Sequence, residues 1–279
     1  IKKKKRGRHP KLSLPAYAKM SIFLVYFDMT LDEMAGLLPL LENKTLDRSN
    51  IDRWFDRVDD DWIKRAVYML DQRIESLFRN GHYIADSSKL STNQYFQTIY
   101  RGETILELLT IGLHLLVVYF ASVGIISIVT MEATYGDAHD APVYRDVLLE
   151  EVPLKKKRRV HKDKAYDDEA TFEKEFEKGL IPNTVPKDNS KRGFWRKKAR
   201  KVYDDELRKK IRGMIEGIFG GLTTDNGMKT RFKLDRRRKK HALLLALSHN
   251  IRSYFRATVY KLINLLINFA TTPLKYKDL

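Results

Sequence analysis

The spacing of apolar residues changes twice along this 279-residue chain, and the changes divide it into three stretches. Up to about residue 80 the spacing is helical. Thr30-Leu31-Asp32-Glu33 has the form of a capping box, in which hydroxyl and carboxylate each satisfy an unpaired backbone N–H. It predicts a helix through Met34, Leu37 and Leu38. Ile51, Trp54, Phe55 and Val58 then fall at i, i+3, i+4 and i+7, one face of a second helix that Ser49 is placed to cap. Asn43-Lys44-Thr45 interrupts the pattern between them. The pair therefore has helix-turn-helix spacing, with Asp52, Arg53 and Arg57 turned outward towards DNA. An ordinary helical bundle fits the same pattern. The acids Asp52, Asp56, Asp59, Asp60 and Asp61 oppose close phosphate contact by that whole face.

From about 81 to 186 the pattern becomes strand-like, with candidate strands at 82–86, 108–119, 125–134, 156–163 and 180–185. Residues 105–130 are apolar and long enough to span a membrane. Glu107 and His114 interrupt them, however, and Ala121-Ser122-Val123-Gly124 supplies a turn at the middle. Val, Ile, Thr and Tyr are also enriched, as in strands. Two buried strands joined as a hairpin are expected, not a membrane helix. Residues 167–200 are charged and poorly periodic, and with Pro182 and Pro186 they read as loops around one short strand. Helical spacing returns at 203–221 and 238–270. Strands first and helices afterwards predict an α/β fold, a mixed central sheet flanked by helices. An all-α, helix-turn-helix-like module precedes it. The expected organisation is 1–80 for a basic arm (1–11) and helical DNA-binding module, 81–270 for a catalytic domain, and 271–279 for a tail.

Charge changes this picture more than composition does. Fifty-three Lys and Arg against 36 Asp and Glu give a net charge of +17, which favours a polyanionic partner, most often nucleic acid. The absence of cysteine excludes disulfides and thiolate metal sites. The basic start Lys2-Lys3-Lys4-Lys5-Arg6 leads to Pro10 and Pro15, which is not the pattern of a signal peptide. Two basic clusters are expected to hold DNA. Phe194 and Trp195 sit among Lys191, Arg192, Arg196, Lys197 and Lys198, a mixture suited to phosphates and unpaired bases. Arg236, Arg237, Arg238, Lys239 and Lys240 open the last long helix. Positive charge there opposes the helix dipole, so phosphate binding is the expected reason for it. Pro153-Leu154-Lys155-Lys156-Lys157-Arg158-Arg159-Val160 resembles a nuclear-import signal, a pattern common in DNA-binding proteins.

Three acids stand where carboxylates are seldom placed by accident. Asp86 ends the strand-like His82-Tyr83-Ile84-Ala85, Asp163 opens Asp163-Lys164-Ala165-Tyr166-Asp167, and Glu216 lies one helical turn after Arg212. Converging, they would bind two divalent cations, which can clamp the attacking and leaving oxygens of a phosphodiester. Each also has a plainer reading: a strand-end acid, a turn acid, and a solvent-facing Glu paired with Arg212. Glu216 points about 140° away from the apolar stripe Leu207, Ile211, Met214, Ile215 and Ile218 at 100° per residue. Gly213, Gly217 and Gly220 surround it, and each costs a helix about 1 kcal/mol relative to Ala. That face is expected to admit DNA or a sheet edge. Asp137, His139 and Asp140 are metal-ligand types at close spacing, but a loop in which Asp140 caps a following helix is the preferred reading.

In order and spacing these words resemble the DDE transposases of bacterial and archaeal insertion sequences, over roughly residues 5 to 257. Ile84-Ala85-Asp86-Ser87-Ser88 looks like the first-Asp strand of that family. Arg101-Gly102-Glu103, Leu115-Leu116-Val117-Val118 and Gly136-Asp137-Ala138-His139-Asp140 look like its central hairpin and the turn that follows. Asp163-Lys164-Ala165-Tyr166-Asp167 resembles the second-Asp motif, and Arg212-Gly213-Met214-Ile215-Glu216 with Phe219 the helix of the third carboxylate. Asp163 follows Asp86 by 77 residues and Glu216 follows Asp163 by 53. The resemblance implies an RNase H-like catalytic domain in which Asp86, Asp163 and Glu216 are both catalytic and metal-binding, with two Mg²⁺ or Mn²⁺ ions. It gives Tyr166 and Arg212 supporting roles. It also implies double-stranded DNA partners (transposon ends and target), a homodimer assembled on DNA, no membrane, and a nucleoid-associated place in the prokaryotic cytoplasm. A catalytically degenerate DNA-binding copy and a metal-dependent nuclease on the same fold are the alternatives. Two departures stand out: Thr223 replaces a family Lys, and the usually apolar strand before the second Asp is basic from Lys155 to Lys162. Such a strand is expected either at a sheet edge or in a drifted copy.

Overall fold

The computed structural model describes residues 11–100, 103–135, 138–190, 192–224, 229–230, 232 and 234–271. Four helices lead: α1 (Leu14–Tyr26), α2 (Leu31–Glu42), α3 (Arg48–Phe55) and α4 (Asp60–Leu77). The capping box forms as expected, with the Thr30 hydroxyl accepting from Glu33 N and the Glu33 carboxylate accepting from Thr30 N. The cap of α3 is Asp47 and not Ser49. Asp47 Oδ1 accepts from Asn50 N at 2.8 Å, while the Ser49 hydroxyl donates to that same carboxylate.

The sheet follows, built from β1 (His82–Tyr100), β2 (Glu103–Phe120), β3 (Ile125–Tyr135), β4 (Arg159–Lys162) and β5 (Ile181–Thr184). The strand order is β3-β2-β1-β4-β5. The first three strands form an antiparallel meander, and β4 and β5 add in parallel. That arrangement is the RNase H-like sheet expected from the sequence. The apolar run 105–130 is the β2–β3 hairpin, turning at residues 121–124 with Gly124 at φ 65°. Among the described residues no helix is long and apolar enough to cross a membrane. Between β3 and β4 run α5 (Asp140–Val143), a π turn (Tyr144–Leu148) and α6 (Leu149–Glu151). The stretch 167–200 holds more structure than its weak periodicity suggested: α7 (Glu169–Glu177) and α8 (Phe194–Lys201) flank β5. Asp168 starts α7 by accepting from Thr171 N. The chain ends in α9 (Asp205–Thr224), the two-residue β6 (Lys229–Thr230) beside β1, and α10 (Asp235–Thr271).

Both sheet faces are covered, which explains why β2 is apolar on both of its faces. Ile111, Leu113, Leu115 and Val117 of β2 point into one core with α1–α4 and with Ala242–Leu247 of α10. Leu116, Val118 and Phe120 point into a second core with Tyr144, Leu148, Val160 and Tyr166. The change of spacing at residue 80 is therefore a change of element type, and the first core is shared across it. A β-bulge at Val129 shifts the β2–β3 register between Leu116 and Val117. Asn250 of α10 satisfies backbone groups beside the bulge: its amide nitrogen donates to Ile128 O and Val67 O, and its oxygen accepts from Ile128 N.

The basic strand does not lie at a sheet edge. β4 lies between β1 and β5, so it is interior, and each of its polar side chains is accommodated. Lys162 Nζ lies 2.5 Å from Glu175 Oε1, with both side chains fully buried. His161 Nδ1 is bonded to Asn183 Nδ2 at 2.9 Å. Burial, and then the charges of His82 and Arg159, push its pKa down to about 3, which keeps it neutral. Arg159 donates to the Val202 carbonyl. A buried strand carries such residues when each finds a partner.

Candidate active site

Strand pairing places the first two acids side by side. Tyr83 pairs with Val160 and Ile84 with His161 in parallel register. Asp86 and Asp163 each follow two residues further on, so they stand at one level on adjacent strands: Asp163 directly after the end of β4, and Asp86 inside β1, which pairs on with β2 to Tyr100 and does not end at Asp86 as expected. Ile84 and Ala85, buried in opposite cores, fix the strand beneath Asp86. Ser87 N donates to Asp86 Oδ1 at 2.8 Å. Asp163 is exposed and caps the 3₁₀ turn Lys164–Tyr166, accepting from Ala165 N at 2.8 Å.

Tyr166, which that turn carries, is buried with its ring edge-on to Tyr144. Its phenol is held well above its ordinary pKa by burial, then by the charges of Asp140, Asp86 and Asp163. Tyr166 is thus a neutral floor close to three carboxylates.

Asp86 and Asp163 open into a cavity of about 410 Å³ whose lining includes His161, Lys164, Arg208 and Ile211. The last two belong to α9, which closes the cavity from the side. Glu216 lies on the same helix, five residues beyond Ile211 or roughly 7 Å along its axis. The side chains of Glu216, Arg212 and Thr223 lie outside the described residues. Ile211 is buried and Leu207 packs on the first core, whereas Met214 of the expected stripe is exposed. A Cβ built on Gly213, Gly217 or Gly220 meets nothing within 4 Å.

Asp140 differs from its expected capping role. It is the first residue of α5, after an N-cap at His139. Its Oδ1 lies 3.2 Å from the buried His114 Nδ1, an ion-pair distance without hydrogen-bond alignment. Burial opposes its charge, but His114 and Ser87 outweigh that and hold its carboxyl below the ordinary value. The other His114 nitrogen bonds Thr134 Oγ1 at 2.9 Å. Sequence reading missed this group, and it missed Arg208, one turn before Arg212. Beside it a second cleft, of about 520 Å³, is rimmed by Ser87, Ser88, Lys89, Arg145 and Lys187. Among the described residues no three His, Asp or Glu converge closely enough to hold a metal ion.

The two basic clusters differ in availability. Phe194, Lys197 and Lys198 are exposed, Trp195 stacks on Phe176, and Arg196 is tied to Asp167 at 2.6 Å. Arg192 is exposed, and Lys191 lies outside the described residues. The cluster opening α10 turns mostly inward. Arg237 pairs with Asp52 and Asp56, Arg236 with Asp56, and the buried Arg238 with Asp235 and the Phe232 carbonyl. Lys240 donates to the Phe55 and Asp56 carbonyls, and Lys239 stands over the Tyr135 ring. Docking of α10 on α3 explains this charge, which phosphate binding alone was expected to explain. It also occupies the Asp52 and Asp56 side of α3, leaving Arg53 and Arg57 exposed.

The family model described as the transposase DDE domain matches residues 77–251, more than half of the chain. The chain belongs to the DDE transposase family. No curated protein matches it by sequence. Among solved structures it is similar to the cryo-EM structure of a piggyBac transposase synaptic complex with hairpin DNA. That similarity has 10% identity and a TM-score of 0.49, and covers 94% of this chain and 70% of the other. Two family motifs, the first-Asp strand and the second-Asp turn, thus meet at one level of adjacent strands. The turn residues Arg101-Gly102 and Gly136-Asp137 lie outside the described residues.

Proposed function

We propose that this chain cuts DNA at the ends of a transposable element and joins the freed 3′-hydroxyl to target DNA. The observation that carries the reading is the shared level of Asp86 and Asp163 on adjacent parallel strands, two residues beyond the Ile84–His161 pair, over one cavity. The donors fit a hard divalent cation, Mg²⁺ or Mn²⁺, because they are carboxylate oxygens with no thiolate or imidazole beside them in the expected ligand set. Asp86, Asp163 and Glu216 would hold two such ions. When bound, these would supply an activated water and charge stabilisation for phosphodiester cleavage.

The chain's own groups set the stage for that chemistry. The parallel register holds the two carboxylates in fixed relation, and the Ser87 and Ala165 amides orient one oxygen of each. Tyr166 supplies a proton-retaining floor, and its low-dielectric surroundings strengthen electrostatic interactions above it. Arg208 and Lys164, at the cavity wall, are placed to bind a scissile or adjacent phosphate. Lys89, Arg145 and Lys187 along the neighbouring cleft, with Lys197 and Lys198 of α8, would track the backbone by charge. Arg236 and Lys239 remain the members of the α10 cluster with side chains near enough to solvent to join them.

The test is strand cleavage and joining on the DNA ends of the element, with wild type, Asp86→Ala and Glu216→Ala. Mg²⁺- or Mn²⁺-dependent joining that both substitutions abolish is expected. Cleavage without joining would replace the reading with a nuclease. Salt-sensitive binding without cleavage would replace it with a DNA-binding protein.

A further inference from the structure

Behind Asp86, on the other face of the sheet, a row of polar side chains crosses four elements. Successive residues of a strand face opposite sides, so Ser87 points away from the cavity that Asp86 lines and into the second cleft. His114 of β2 stands opposite Ser87 in the register. Asp140 of α5 takes a side-chain hydrogen bond from Ser87 and places its Oδ1 3.2 Å from His114 Nδ1. His114 Nε2 in turn bonds Thr134 Oγ1 of β3 at 2.9 Å.

Two features mark this row as built. His114 is 2% exposed on a strand where Leu113, Leu115 and Leu116 are all buried, and a polar ring costs stability there unless it is partnered. Gly112 leaves the room for it: a Cβ at that position would lie 2.8 Å from Thr134 Oγ1 and 3.2 Å from His114 Nε2. Any larger residue would press on that bond.

We infer that Asp140 is a positioning residue: through Ser87 it steadies the backbone amide that holds the Asp86 carboxylate, and so strengthens the grip of that carboxylate on a divalent cation. Ser87 is the joint. Its side chain is held by Asp140 on one face, while its amide donates to Asp86 Oδ1 at 2.8 Å. The joint lies where restraint is needed, because the pairing of β1 with β4 ends at Ile84 and His161. Beyond that pair β2 continues beside β1, and the Asp140 contact adds a second hold. Asp140 itself lines the second cleft, apart from the cavity lined by Asp86 and Asp163. Groups that orient a ligand from behind typically contribute about 10–100-fold to metal affinity. The inference rests on the reading of Asp86 as a metal ligand.

Mn²⁺ titration of the full chain without DNA, followed by the EPR signal of free Mn²⁺, tests it alongside the thermal midpoint of each variant. Wild type is expected to bind Mn²⁺ and Asp86→Ala to lose that binding. Asp140→Asn and Ser87→Ala are each expected to weaken it about 10-fold or more. The double variant should be no weaker than the singles, because both act through one joint. Should Asp140→Asn fail to fold, Ser87→Ala, which removes a single hydroxyl, decides the matter alone. Mn²⁺ binding that is absent from wild type, or retained by Asp86→Ala, overturns the metal reading and the inference with it. Binding that Asp86→Ala abolishes but Asp140→Asn and Ser87→Ala keep, even at a lowered thermal midpoint, overturns this inference alone. Fully additive losses in the double variant overturn it as well, because Asp140 would then act without Ser87.

Discussion

Replacing Glu175 by Ala tests how an interior strand bears the charge next to Asp163. Lys162 and Glu175 are both fully buried, and Lys162 Nζ and the Tyr144 hydroxyl converge on the same carboxylate oxygen at 2.5 and 2.6 Å. The substitution would leave an ammonium between the Tyr144 and Phe172 rings, 4.7 and 5.7 Å from their centroids, without a counter-ion. Breaking a buried pair from one side costs about 3–5 kcal/mol, of which the aromatic faces return about 1–2 kcal/mol. A net loss of about 1–4 kcal/mol is expected from urea unfolding of the folded chain. Lys162→Met/Glu175→Leu, which removes both charges, is expected within about 1 kcal/mol of wild type.

The pH dependence has a definite sign. Burial outweighs Glu175 and lowers the Lys162 pKa. A lysine whose folded pKa lies below its unfolded value stabilises the fold progressively as pH rises between the two. Losing Glu175 widens that interval, so the deficit of Glu175→Ala should narrow towards alkaline pH. A single substitution costing under about 1 kcal/mol, or a double variant no better than the single, would refute the argument.

Other expectations follow from the same geometry. Burial and the Glu75 charge push the buried Asp71 up to about 7, so its stabilising contribution is present at acidic pH and lost as pH rises towards 7. Asp71→Asn should remove that slope and raise stability at pH 8 by on the order of 1–4 kcal/mol, seen as a shift in urea midpoint. Arg237→Ala, which releases Asp52 and Asp56, should cost about 1–3 kcal/mol while leaving the salt dependence of DNA binding unchanged; a flatter salt slope would return Arg237 to the DNA-binding set. Gly217→Ala meets nothing on the helix surface and should raise stability by about 0.5–1 kcal/mol. If strand joining stays intact as well, close approach of DNA to that face is excluded.

The neighbouring positions of Asp86 and Asp163 were legible because each follows or opens a short apolar or motif-like word. The β2–β3 hairpin was legible because its turn interrupts a two-sided apolar run. The length of β1 was not. Ser87-Ser88-Lys89 and Ser91-Thr92-Asn93-Gln94 have loop composition; pairing with β2 overrides it up to Ser91 and resumes at Tyr95, with Thr92–Gln94 the irregularity between. Short charged helices such as α7 and α8 leave little periodic signal. The α10 cluster misled for a different reason. Local charge opposing a dipole pointed to phosphate, while the acids that answer it lie 180 residues or more upstream in α3. Partners so remote in sequence leave no trace in the local pattern, and the same is true of Lys162 and the helix that neutralises it.

The placement of α10 also bears on synthesis. Ala242–Leu247 fill the centre of the core against α1 and α4, elements made first. A chain still emerging from the ribosome holds Asp86 and Asp163 long before it can bury that core. Contacts of such sequence separation form late and slowly. Chains cut short before residue 235 are therefore expected to emerge as aggregation-prone intermediates and not as a smaller working nuclease, so that completion of the polypeptide gates the appearance of a rigid site.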